Sequence, residues 1–340
     1  MTGPRIVQPG DEALQAAADR LARGDLVVLP TETVYGLAGS TVDMVAIEKI
    51  YRLKGRPGDN PLIAHVNGAT EASSIVHGWN DLCADLADRF WPGPLTLILR
   101  RHESVPSIAS GGRSTLAVRC PSHPVARSLL ERFGGPVSAP SANRSGAVSP
   151  TCADHVLMDY RDVQEADDLL ILDGGTCDVG IESTVLDLSG SDPRILRPGV
   201  LTSDDLAEVM EVATFHPTEV QGASPGTTAS HYATHAPLEL LDRASIEKRL
   251  ETTDEHVGAI LLGGTAPAGN VIILDPDPNT CAKALYSSLR TLDETGPDRI
   301  LFQRPPDGVE WDAIRDRLQR ASVQVSTTRS AGGGSSGGSS

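Results

Sequence analysis

Short apolar runs of strand length alternate with segments of helical periodicity over residues 11–199, fade over residues 202–237, and return as a second, shorter alternation over residues 238–318. Such a chain has to bury the faces of its strands under helices, which is the α/β solution. In the first stretch the spacing predicts helices over 11–23, 42–53, 80–90 and 124–132. Strands are expected over 26–29, 62–66, 95–99, 115–118, 169–172, 184–188 and 195–196. In the second, strands over 238–241, 257–262, 271–274 and 299–302 interleave with helices over 245–250, 281–292 and 311–318, the rhythm of a small Rossmann-like domain. The stretch between them is rich in Pro, Gly, Thr and Ser and reads as an interdomain connection. The expected division is therefore 1–201, a linker over 202–237, a second domain over 238–328, and a tail over 329–340. Residues 331–340 are only Ala, Gly and Ser, the composition of a flexible tail or an expression scar. No internal repeat with a period of about 20 to 50 residues is visible.

The 340 residues carry 29 Lys and Arg against 45 Asp and Glu, a formal charge of -16. A broad electrostatic grip on a nucleic-acid backbone works by neutralising phosphates with cations, so this balance disfavours it. An aromatic content of 4% leaves little for base stacking. No apolar run approaches the ~18 residues of a membrane span, and the first residues lack a signal-peptide pattern, so a cytoplasmic protein without membrane contact is expected. Cys83, Cys120, Cys152, Cys177 and Cys281 are odd in number and form no C-x-x-C pair, which argues against a disulfide frame or a structural zinc site.

Familiar catalytic patterns are mostly absent: no G-x-x-x-x-G-K-[ST], no G-x-G-x-x-G after a strand, no H-E-x-x-H. The string at Gly222, Ser224 and Gly226 matches a serine-hydrolase elbow, but Pro225 has no N–H where that mechanism needs an oxyanion donor. His231 and His235 stand four apart without a third ligand nearby and read as surface histidines. What stands out is a set of segments at or after strands, at residues 30–37, 54–65, 115–119, 139–146, 149–151, 181–184 and 197–199. Each alone is an ordinary turn, because Gly, Pro, Ser and Asn are what turns use. Together they gather hydroxyls with Lys54, Arg56, Arg119 and Arg197 in an otherwise acidic protein. Ligands of open α/β sheets sit at strand ends, and cations beside hydroxyls suit an anionic ligand, with a nucleotide foremost.

The same loops carry PTETVYGL at 30–37, Lys54 and Arg56 followed by NPLIAH at 60–65, FWPGPLT at 90–96, Ser141 and Asn143 as S-x-N, GIEST at 180–184 and LRPG at 196–199. On these motifs the sequence resembles the YrdC-like family, specifically the two-domain type of L-threonylcarbamoyladenylate synthase, over nearly the whole chain. The resemblance implies a twisted mixed-sheet YrdC-like domain followed by the Rossmann-like one. It also implies a reaction of ATP, bicarbonate and L-threonine to threonylcarbamoyl-AMP and pyrophosphate, for the threonylcarbamoyladenosine modification of tRNA. Mg2+ would accompany ATP without a tightly bound protein-ligated metal. A downstream threonylcarbamoyl transferase complex would consume the product, and no stable direct tRNA binding is expected.

Carried over by motif, Lys54, Arg56, Asn60, Thr115, Ser141, Asn143, Ser149, Arg197 and Tyr232 resemble ATP-binding positions, with Lys54, Arg56, Ser141 and Asn143 nearest the chemistry. Thr33, His65, Arg119, Ala139 through its backbone, and Ser183 resemble threonine-binding ones. The linker departs from the family pattern: Thr227, Thr228, Ala229 and Ser230 stand where Met and basic residues are common, while His231 and Tyr232 remain. Two other readings are a carbamoyl transfer of the hydrogenase-maturation type, which the isolated cysteines oppose, and a non-catalytic RNA-binding module, which the charge opposes.

Overall fold

The computed structural model describes residues 3–210 and 232–322. In chain order the first region contains β1 (Arg5–Val7), α1 (Asp11–Ala22), β2 (Val27–Leu29), β3 (Gly36–Ser40), α2 (Met44–Lys54), β4 (Ile63–His65), α3 (Ala69–Ile75), β5 (Val76–His77), α4 (Asp81–Phe90) and β6 (Leu95–Arg101). It continues with β7 (Thr115–Arg119), α5 (Pro124–Phe133), β8 (Val137–Ser138), α6 (Ala153–Tyr160), β9 (Leu170–Leu172), β10 (Thr184–Asp187), β11 (Arg194–Arg197) and α7 (Ser203–Ala207). The second region is β12 (Leu238–Leu241), α8 (Arg243–Thr252), β13 (Val257–Leu262), β14 (Asn270–Leu274), α9 (Pro278–Glu294), β15 (Arg299–Gln303) and α10 (Asp312–Ser322).

The first region forms one mixed sheet in the order β1-β9-β2-β3-β8-β4-β7-β6-β10-β11, with β5 added beside β6. Parallel pairs such as β4 with β7 sit among antiparallel ones such as β6 with β7. Strand alternation divides its residues between layers. Val27 and Leu29 pack with Leu14, Leu21, Leu129 and Leu130 of α1 and α5, whereas Val28 between them belongs to the larger core with Ile47, Ile50 and Leu97. Ile63, Ile98, Ala117, Val185 and Leu196 form a smaller apolar group across β4, β6, β7, β10 and β11. The second sheet is parallel throughout, in the order β12-β15-β13-β14, as its β/α rhythm requires.

Every strand and helix expected from the periodicity is present, with ends shifted by a few residues. The helix expected from 281 begins at Pro278 because Asp277 caps it, accepting from the Thr280 N–H, with Pro278 at the first turn. Several elements were not anticipated. β3 lies at the end of the 30–37 loop motif and continues through Gly, Ala and Ser, which carry no strand signature of their own. The short β1, β5 and β8 and helices α3, α6 and α7 were likewise unread. α7 falls in the stretch assigned to the linker, yet its Leu206 is buried in the core of the first sheet. Gly222, Ser224–Gly226, Thr227–Ser230 and His231 lie outside the described residues, as does the tail over 329–340.

The two regions share an apolar core: Val34, Val148 and Ile181 pack with Tyr232, Leu285 and Tyr286. At this seam Gly180 has φ +81, and a Cβ there would lie 2.5 Å from the backbone of Lys283 in α9. Gly180→Ala is expected to destabilise the protein by about 2 kcal/mol or more, through backbone strain and displacement of α9. Thermal denaturation should show Tm lowered by about 3 °C or more; an unchanged Tm would mean that α9 does not press on this turn in solution.

Candidate active site

A cavity opens where the loop after β2, the end of β4 and β7, the Ala139–Ser141 loop and the β10–β11 hairpin converge, and it is bounded on one side by Tyr232. Residues of the 30–37 motif are shaped by Thr31, whose hydroxyl donates to the Val34 carbonyl at 2.6 Å and accepts from the N–H groups of Thr33 and Val34. This local turn directs Thr33 inward, where its Oγ1 accepts from Arg119 Nη1 at 2.8 Å.

Arg119 ends β7 directly opposite His65 at the end of β4. Its side chain is buried, ion-paired with Glu32 at 2.7 Å, and its Nε donates to the Gly93 carbonyl. Burial pushes the Glu32 carboxyl up, but the charge and hydrogen bond of Arg119 more than offset this, holding it below the usual carboxylate range. His65 is buried beside this pair. Burial and then the Arg119 charge push its pKa down to about 3, so it is a neutral imidazole at physiological pH.

Lys54 is the last residue of α2, turned by Gly55 in the left-handed conformation. Its ammonium donates to the carbonyls of Ser141, at 2.5 Å, and Asn143. Lys54 thus fastens the S-x-N loop rather than lining the cavity. Arg56 does line it, held by the carbonyls of Asn60 and Pro61 and by Asn60 Oδ1 at 2.6 Å. Burial lowers the Arg56 pKa to about 10, which leaves it charged. Asn143 is buried with Oδ1 lacking a hydrogen-bond partner, while Nδ2 donates to the Arg144 and Ala147 carbonyls.

Arg197 lines the same cavity and donates to the Ser183 carbonyl, from Nε at 3.1 Å and Nη2 at 2.9 Å, and Nη2 also lies 3.1 Å from Ser183 Oγ. Ser183 Oγ also shares a hydrogen bond with Thr96 at 2.7 Å. The approach is close enough that a Cβ on Gly199 would fall 2.3 Å from the Thr184 nitrogen, so glycine is required there. Ser149 Oγ donates to Glu182 Oε1 at 2.6 Å. Tyr232 is buried at φ +64, a conformation costly for a non-glycine residue and therefore imposed by its surroundings.

Of the residues singled out from sequence, Thr33, Arg56, His65, Arg119, Ala139, Ser141, Arg197 and Tyr232 line one cavity. Lys54, Asn60, Ser149 and Ser183 stand directly behind it through the bonds above, and Asn143 lies on the same loop as Ser141. Thr115 is not among the lining residues: it starts the strand that Arg119 ends, and so lies at the opposite end of β7. The sequence reading assigned no role to Glu32, Thr96 and Glu182, although all three stand inside the quoted motifs. It also missed Tyr286 and Arg317 of the second region. For Arg317 a signal existed, since it shares the apolar face of α10 with Ile314, Leu318 and Ala321.

Residues 19–199 match a family model described as "Telomere recombination", and residues 201–323 match one described as the C-terminal domain of threonylcarbamoyl-AMP synthase. The threonylcarbamoyl-AMP synthase of Pyrococcus abyssi is 38% identical over 324 residues, covering 91% of this chain and 94% of that protein. The Bacillus subtilis protein of the same name is 35% identical, covering 92% of this chain and 93% of its own length. The crystal structure of P. abyssi Sua5 complexed with L-threonine superposes with a TM-score of 0.86 at 36% identity, covering 94% of this chain and 98% of that one. With both of its regions matched, the chain belongs to the two-domain, YrdC-like threonylcarbamoyl-AMP synthase family.

Proposed function

We propose that the cavity binds ATP and L-threonine side by side and that the protein joins them, with bicarbonate, into threonylcarbamoyl-AMP, releasing pyrophosphate. The observation that carries this reading is that three guanidinium groups line one cavity, Arg119 beside Thr33 and His65, and Arg56 within electrostatic reach of Arg197. Arg119 spends one N–H of each nitrogen on Gly93, Thr33 and Glu32, so the second N–H of each terminal nitrogen is available to a threonine carboxylate or carbamate. The Ala139 carbonyl and the Thr33 and Ser183 hydroxyls orient the amino acid. Arg56 and Arg197 are placed for phosphate oxygens, with Tyr232 and the loop of Ser141 and Asn143 against the nucleotide. Lys54, Asn60 and Ser149 support these groups, and Thr115 would meet the nucleotide from the start of β7, beyond the lining of the cavity.

The chemistry needs placement more than a nucleophile from the protein. The threonine ammonium gives up a proton to solvent, and the free amine nitrogen bonds to the carbon of bicarbonate, whose hydroxyl leaves with a second N–H proton as water (with carbon dioxide, only the proton is lost). A carbamate oxygen then attacks the α-phosphorus, and pyrophosphate leaves with the electron pair of the broken P–O bond. Buried, prearranged cations stabilise the charge that develops on the phosphate oxygens. His65 is too weak a base to take up the threonine ammonium proton, and acts as a neutral orienting group. Glu32 and Glu182, the carboxylates beside the cavity, are committed to Arg119 and Arg317, so Mg2+ is expected to be carried by the nucleotide phosphates, whose charge it neutralises. The product is consumed by a threonylcarbamoyl transferase acting on tRNA, without stable tRNA binding by this acidic chain. Among the described residues no helix is long and apolar enough to cross a membrane, and the five free thiols suit the cytoplasm.

Incubation with ATP, Mg2+ and bicarbonate should give pyrophosphate and a mass matching threonylcarbamoyl-AMP only when L-threonine is present; release driven by a different amino acid would reassign the substrate. Arg56→Ala should lower kcat/KM about 100-fold or more in a folded protein, as loss of a preorganised cation does, and wild-type turnover would remove Arg56 from the site. Ser183→Ala should raise the KM for threonine more than that for ATP; the opposite order would mean the two subsites are exchanged.

His65 also sets a pH dependence. Its folded pKa of about 3 lies below the ordinary 6.5, so the unfolded chain binds the proton more readily between these values and stability falls as pH falls through that window. The slope from this one group reaches about 1.4 kcal/mol per pH unit. Denaturant titrations at several pH values should show a shallower slope for His65→Asn than for the wild type; equal slopes would mean His65 is not buried as a neutral ring.

A further inference from the structure

The second region reaches the cavity through a buried polar hub. Glu182 lines the cavity and precedes Ser183. Its Oε2 accepts from Tyr286 of α9 at 2.9 Å and from Arg317 Nε of α10 at 3.0 Å, opposite the Ser149 bond to Oε1. Arg317 Nη1 donates to the carbonyl of Pro198, the residue after Arg197, at 2.9 Å, and Nη2 approaches the Glu182 carbonyl at 3.4 Å. One guanidinium therefore touches the residue before Ser183 and the residue after Arg197, clamping the open end of the β10–β11 hairpin. Asp316 holds Arg317 Nη1 at 2.9 Å and is itself bonded by Arg320. Tyr286 stacks on Tyr232 with ring centroids 5.5 Å apart, and Arg317 lies 5.6 Å over the Tyr232 ring.

The side chains of Arg317 and Tyr286 are buried. A buried ion network adds little net stability compared with apolar packing, because desolvation consumes most of the attraction. Its fixed, bidentate geometry instead specifies one arrangement of the loops it bonds. We propose that Arg317 and Tyr286 are positioning residues for the synthase reaction: the C-terminal domain fixes the spacing between the Ser183 hydroxyl and the Arg197 guanidinium by holding Glu182 and Pro198. The inference rests on the assignment of Ser183 and Arg197 to the two substrates.

The test compares Tyr286→Phe, Arg317→Lys and Arg317→Met with Asp178→Asn, which removes the exposed Asp178–Lys283 ion pair at the same domain seam without touching the hub. Pyrophosphate release is measured against threonine and against ATP, at a temperature well below every Tm, and threonine binding is measured by calorimetry. Tyr286→Phe keeps the stacked ring and should raise both KM values about three- to tenfold with Tm changed by less than about 2 °C, the net effect of one typical hydrogen bond, since Glu182 Oε2 keeps its bond from Arg317. Arg317→Lys should cost more than about tenfold in kcat/KM, and Arg317→Met more again, because an ammonium keeps the charge but not the span from Glu182 to Pro198. Asp178→Asn should retain wild-type KM values. Wild-type KM values for Tyr286→Phe and Arg317→Lys, or equal shifts in Asp178→Asn, would overturn the proposal. Absence of threonine-dependent release in the wild type would strike the proposed reaction instead, and the calorimetric comparison of the same variants would then decide the positioning role.

Discussion

Around one cavity the chain buries four cations, Lys54, Arg56, Arg119 and Arg197, and much of the first domain is arranged to satisfy them. A buried charge without a partner costs several kcal/mol, so each must meet carbonyls or a carboxylate before any ligand arrives. Lys54 consumes two carbonyls of the S-x-N loop, Arg56 the 60–61 turn, Arg197 the Ser183 carbonyl, and Arg119 the Glu32 carboxylate. Meeting those demands fixes the loops in place, and fixed loops are what a reaction governed by placement needs.

The same constraint accounts for how the two regions are joined. Glu182 accepts hydrogen bonds from Ser149 in the first and from Tyr286 and Arg317 in the second. Gly180 lets the backbone of the first region approach α9, and the apolar core runs across the seam through Val34, Val148 and Ile181. The C-terminal domain is thus continuous with the wall of the cavity. Tyr232, at the far end of the undescribed segment, is held in a left-handed conformation between Tyr286, Arg317 and the loop that bonds Ala233 to Gly146.

Much of this was legible in the sequence, for identifiable reasons. Strands such as Val257–Leu262 and helices such as Asp11–Ala22 carry their own periodicity, so pattern alone finds them. β3 does not, since its Gly36–Ser40 residues are chosen for close packing: a Cβ on Gly36 would lie 3.0 Å from that of Ala139. Motif resemblance picked out eight residues that line the cavity and several directly behind them, but not the carboxylates and the second-region residues that hold them. Glu32 and Glu182 show their role only once their buried partners are known, and Arg317 bonds Glu182 across 135 positions of sequence. Lys54 was carried over by motif as a nucleotide position; its bonds to the Ser141 and Asn143 carbonyls, which also fasten that loop, could not be read from the motif. Thr115 was carried over by motif alone, and strand geometry sets it apart from Arg119 on the same strand.

The most direct measurement is a crystal structure of the protein with threonylcarbamoyl-AMP bound. The account predicts the threonyl carboxylate or carbamate on Arg119 beside Thr33, the phosphate between Arg56 and Arg197, and the Glu182 bonds to Tyr286 and Arg317 intact. A product bound outside this cavity, or with its carboxylate on Arg56 and its phosphate on Arg119, would contradict it.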